Sequence, residues 1–213
     1  MSTPKSLLSF LAVLAVLVAT GAPAETIDMN DPRRAVGRET DIRVDAQLLD
    51  EFVSPHTTIG VKYQIANLSP QTIALADKVC DASYDSDSRT ITISIGSEVP
   101  RNGEMPRLVI IRSGETKTFT AGAPLAMNTT VSVTPFSSVP RFVQIRVNVL
   151  RDLAPFLALI EQQGRVRAPI TLSDKQFDQW LDSKESIGLN AMPVRFRAET
   201  SKISDASQRW RDQ

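Results

Sequence analysis

The chain has 213 residues, with 24 Lys and Arg against 24 Asp and Glu, one His and one Cys. The neutral balance offers no electrostatic footprint for nucleic acid. A single cysteine, Cys80, excludes an internal disulfide, and a single histidine, His56, excludes a His-based metal cluster.

Residues 1–24 have the pattern of a secretory leader. Lys5 precedes an apolar stretch at 7–18, and Ala22-Pro23-Ala24 places small residues where a signal peptidase cuts. The stretch is too short to span a bilayer, and no second apolar run of about 18 residues follows, so no transmembrane anchor is expected after cleavage. The residue after the cut, Glu25, is not a lipid attachment site. A periplasmic or secreted product is therefore expected. Residues 25–40 read as an N-terminal extension, 41–199 as one domain, and 200–213 as a polar tail.

From 41 to 150 the hydrophobic period is two. Ile42, Val44, Ala46 and Leu48 alternate with polar neighbours, as do Ile59, Val61, Tyr63 and Ile65, then Ile73 and Leu75. Ile91, Ile93 and Ile95, "RLVIIR" at 107–112, "TKTFT" at 116–120, and Val143, Ile145, Val147 and Val149 follow. Such β-branched runs, separated by turn residues, predict an antiparallel β-sandwich. Asn67-Leu68-Ser69-Pro70 is one turn, with side chains able to bond nearby backbone.

After Leu150 the spacing changes. Leu153, Phe156, Leu157 and Ile160 predict a short amphipathic helix ending near Gly164. Ser173 with Gln176 has capping-box spacing and opens a second helix whose apolar face is Phe177, Trp180 and Leu181. "NAMPVRFRAE" at 190–199 is expected to return as the last strand, making about 151–185 a helical insertion over an end or edge of the sheet.

Chemistry-bearing groups are few. There is no G-x-S-x-G, no H-E-x-x-H and no phosphate-cradling Gly-rich loop. Cys80 has no Cys-His signature around it and reads as a buried small residue, while His56 reads as a loop residue. Asp81, Asp85 and Asp87 in "CDASYDSDS" are oxygen donors at a spacing that suits calcium, but the run lacks the Gly and distal Glu of an EF-hand loop. A carboxylate pair acting as a hydrolase is the other chemistry open to this composition. Asn128-Thr129-Thr130 is a formal glycosylation sequon.

The succession "VKYQIANLSPQTIALAD", "PRLVIIRSGETKTFT" and "FVQIRVNVL" resembles the immunoglobulin-like sandwiches of exported bacterial proteins. More narrowly, "MPRLVIIRSGETKTFT" is similar to the first domain of periplasmic pilus chaperones. That resemblance implies a long strand, here Val143, Ile145, Val147 and Val149, lent to an unfinished pilin subunit. It also implies a basic pair for the subunit's terminal carboxylate, here Arg43 and Arg151. Such chaperones carry a second sandwich domain, for which 151–213 is too short and partly helical. The expected function is a non-catalytic binding or assembly module whose partner is another envelope or secreted protein. Its contacts would come from a sheet edge or from Phe177 and Trp180 on the insertion.

Overall fold

The structure, a computed structural model, describes residues 27, 30–126, 139–166 and 168–197. The leader expected at 1–24, the sequon at 128–130 and the tail expected at 200–213 lie outside the described residues. Among the described residues no helix is long and apolar enough to cross a membrane.

The chain begins with β1 (Arg34–Glu39), β2 (Ile42–Leu48), the short β3 (Phe52–Val53), β4 (Thr58–Asn67) and β5 (Ile73–Leu75). Next come β6 (Cys80–Asp85), β7 (Thr90–Ile95), β8 (Glu104–Met105), β9 (Val109–Ile111), β10 (Thr116–Pro124) and β11 (Phe142–Leu150). The remainder is α1 (Leu157–Gln163), β12 (Ile170–Thr171), α2 (Asp174–Ser183), β13 (Lys184–Gly188), β14 (Met192–Pro193) and β15 (Arg195–Phe196).

The protein is mainly β, with its short helices near the C-terminus. One sheet has the order β1-β2-β4-β10, antiparallel throughout. The other runs β6-β7-β11-β5-β9, with β13 and β14 also paired to β11. Alternation explains why the sheets face each other. Ile42, Val44, Ala46 and Leu48 of β2 and Ile59, Val61, Tyr63 and Ile65 of β4 point inward, where they meet Ile91, Ile93 and Ile95 of β7 and the apolar side of β11. One continuous apolar core results.

Three features depart from the sequence expectation. The sandwich is not wholly antiparallel, because β11 runs parallel to β7 with Phe142 opposite Thr90 and Val147 opposite Ile95. Between those strands the chain crosses to the first sheet as β10 and re-enters the second in β7's direction, which a hairpin cannot do. Residues 34–39, read as part of an extension, form β1 on β2. Its inward residues are Ala35 and Gly37, too small to give an apolar signal; a Cβ on Gly37 would lie 2.7 Å from the Gly188 carbonyl oxygen. The strand that follows the insertion is chiefly β13, within "KESIG", rather than 190–199, which supplies only β14 and β15.

The insertion packs on the outer face of the second sheet. Ile73, Leu75 and Ile111 face the main core, whereas Ala74 and Ile110, one residue out of phase, face a second cluster with Leu150, Leu153, Phe156 and Trp180. β5 is consequently buried on both faces. The capping box opening α2 is formed, with the Gln176 amide donating to Ser173 Oγ at 3.4 Å and the Ser173 amide to Gln176 Oε1 at 3.0 Å.

Candidate functional site

The nominated strand is corrected to core. Val143, Ile145, Val147 and Val149 are at most 1% exposed. β11 is hydrogen-bonded along both sides, to β7 and β5 on one and to β13 and β14 on the other, so it offers no edge to a partner. Two of the four outer strands, β9 and β1, are also guarded. On β9, the Leu108 amide donates to Gln163 Oε1 at 3.3 Å, Lys117 Nζ donates to the Ile110 carbonyl at 2.6 Å, and the Arg112 amide donates to Glu115 Oε2 at 2.7 Å. Beside β1, Asn190 Oδ1 accepts from the Val36 amide at 2.6 Å and its own amide donates back to Val36 at 3.2 Å.

Arg43 and Arg151 do not form a carboxylate-binding pair. Arg43 stands on the first sheet and bonds Asp45, Nε to Oδ2, at 2.9 Å, while Arg151 follows β11 in the second sheet and bonds Glu185 Oε1 at 2.9 Å. Each cation already has a carboxylate partner. The aspartates of "CDASYDSDS" also separate. Asp81 and Asp85 lie at opposite ends of β6, where the inward positions are Cys80, Ala82 and Tyr84. Asp81 pairs with Arg101. Asp85 holds the turn into β7, accepting from the Asp87 amide at 3.0 Å and Ser88 Oγ at 2.6 Å, and these bonds lower its pKa. Among the described residues no three His, Cys, Asp or Glu side chains converge as a metal site.

No activated nucleophile is present among the nominated groups. Burial, with Asp81 nearby, pushes the Cys80 thiol up to about 11. Burial likewise raises Tyr63, which stacks on Phe119 at 5.2 Å. His56 is exposed in a turn, with φ of 57°. On α2, Trp180 is buried against Phe156, ring centres 5.6 Å apart, while Phe177 is half-buried. Trp180 is an anchor of the insertion rather than an outward contact.

The insertion does form a cleft of about 780 Å³, between the link from β8 to β9 and the loop from α1 to β12. Its floor is Met105 and Ile170, opposed residues of the β8–β12 pair. Gln163, the last residue of α1, braces one wall: Nε2 donates to the Met105 and Pro106 carbonyls at 3.3 and 2.8 Å, while Oε1 accepts from Leu108. The rim carries Glu104, Arg107, Arg165 and Val166, the last 43% exposed. The two guanidinium groups make no ion pair or hydrogen bond with another described residue. An apolar floor under a cationic rim suits an acidic segment carrying an apolar side chain. Sequence reading missed Arg107, Gln163 and Arg165; the basic "RVR" just past the helix-ending Gly164 was the available signal. No family model, curated protein or solved structure gives a significant match to this chain.

Proposed function

We propose that the protein is a non-catalytic binding module of the cell envelope, periplasmic or secreted, which holds an acidic segment of another exported protein in the cleft on its helical insertion. The braced cleft, with Met105 and Ile170 below Arg107 and Arg165, carries this reading. The export expectation rests on residues 1–24. A hydrolase of the carboxylate-pair kind needs two carboxylates at the reacting bond, and the described lining of the cleft supplies one, Glu104. Pilus-chaperone activity is the weaker reading, since it asks β11 for a free edge and a hydrogen-bonding side is not vacant there.

The test is a photo-crosslinking residue in place of Val166, with the same residue at Ser86 in the β6–β7 turn as a control. The expected result is one defined adduct from position 166 that disappears in the Arg107→Glu, Arg165→Glu variant. Identical adducts from position 86, or turnover in a hydrolase panel that is lost in Glu104→Gln, would sink the reading.

A further inference from the structure

The outward face of the first sheet concentrates charge that the whole chain does not have. Because Ala35, Val44, Tyr63 and their in-phase neighbours point inward, Arg34 and Arg38 of β1, Arg43 and Asp45 of β2 and Lys62 of β4 point outward. Four cations thus stand with Asp45 on a single face of a chain with 24 basic and 24 acidic residues, and Asp31, which accepts from Gln47 Nε2 at 2.7 Å, adds a second carboxylate at its margin. The register brings them together. Arg38 is directly opposite Arg43, and Arg43 is opposite Ala66, itself opposite Thr116. Asp45 bonds both Arg34 and Arg43, so one carboxylate is shared by two guanidinium groups.

The neighbours on this face are hydrogen-bonding rather than apolar. Thr116, Thr118 and Thr120 of β10 are exposed beside Gln64. A recess of about 330 Å³ opens among Arg34, Arg43, Asp45, Gln64 and Thr116, with Ile27 at its side. The outward positions of the four strands carry no aromatic ring, so a neutral sugar would find no stacking platform. A hydroxyl-rich polymer with regularly spaced carboxylates matches both the cations and the threonine and glutamine donors.

We propose that this face binds a carboxylated polysaccharide, lying flat across β1, β2, β4 and β10 with one carboxylate seated at Arg38, whose guanidinium bonds the Thr40 carbonyl and has no carboxylate partner among the described residues. The surface is separate from the cleft on the insertion, so the two sites fail independently.

Affinity electrophoresis through polygalacturonate tests it, with neutral dextran, polyglutamate and phosphatidylglycerol vesicles as comparison probes. The expected result is retardation by polygalacturonate at about 30 mM salt that fades at about 300 mM. The Arg38→Glu, Arg43→Glu variant should bind at least about tenfold more weakly, while Arg107→Glu, Arg165→Glu binds like the parent. Arg38→Gln with Thr116→Val leaves both partners of Asp45 in place and should still weaken binding about threefold, which keeps the test decisive if the double charge reversal misfolds. Absent retardation of the parent, equal binding to polyglutamate or to vesicles, or equal losses in the cleft variant would each overturn the proposal.

Discussion

Asn67 ends β4 with every polar atom of its side chain engaged. Nδ2 donates to the Gln71 and Ile111 carbonyls at 2.8 and 3.1 Å, and Oδ1 accepts from the Ser69 amide and hydroxyl at 3.1 and 2.6 Å. Its backbone accepts from Gly114 and donates to Glu115, so one buried residue joins the β4–β5 turn to the β9–β10 turn. Asn67→Ala removes the side-chain donor to the buried Ile111 carbonyl, while Ser69 Oγ still donates to the Gln71 carbonyl at 3.0 Å, and should cost about 2 kcal/mol, read from the urea midpoint. A loss below about 1 kcal/mol would mean the two turns hold without it. Gly96 is constrained differently. Its φ is +83°, and a Cβ there would lie 2.3 Å from the Asn148 carbonyl oxygen of β11. Gly96→Ala should therefore destabilise by roughly 3 kcal/mol through strain and overlap together, and an unchanged melting temperature would contradict that geometry.

Among the elements, the insertion has its own small core and should have its own stability. Trp180 is 1% exposed and meets the edge of Phe156, and these rings hold α2 and the 154–156 turn against Leu150 and Ala74. Trp180→Ala should cost about 3–5 kcal/mol within that unit. In hydrogen exchange the amides of α2 should lose protection while those of β4 and β11 keep theirs. A uniform loss over both regions would show that the insertion and the sandwich unfold as one. The same layering accounts for a limit of periodicity. β5 reads as a half-buried strand from Ile73 and Leu75, but Ala74 is also covered because a later segment folds back over it.

At the scale of the whole molecule, titration should give a stability plateau with two shoulders. Hydrogen bonds from Arg33 hold Asp31 well below the usual carboxylate range, and Glu98 beside Lys184 and Glu115 on the Arg112 amide are lowered as well. Groups with depressed folded pKa values contribute stability that is present above the unfolded value of about 4 and is lost as pH falls. Cys80 is raised to about 11, so its contribution is whole below the unfolded value of about 8.5 and is lost as pH rises toward 11. The melting temperature should be highest between about pH 5 and pH 8 and fall on both sides. Because the carboxylates lie near the surface, the acid shoulder should be shallow; a melting temperature that rises from pH 7 to pH 3 would reverse the assigned direction.

The alternation in 42–48, 59–65, 91–95 and 143–149 by itself determined the strands and their inward faces, since a buried face requires apolar residues at period two. The Ser173–Gln176 pair likewise determined where α2 starts, because capping is local. Only the tertiary structure decided that β11 lies inside the sheet rather than at its edge. Period two specifies a buried face and says nothing of what lies on either hydrogen-bonding side. β1 and β6 escaped the sequence reading for a related reason: Ala35, Gly37, Cys80 and Ala82 are small residues facing a crowded core, and their apolar signal is weak. Arg107 and Arg165 sit 58 positions apart, on either side of β10 and β11. Only the folding back of the insertion over β8 and β9 places them on one rim, because that approach depends on packing between distant segments.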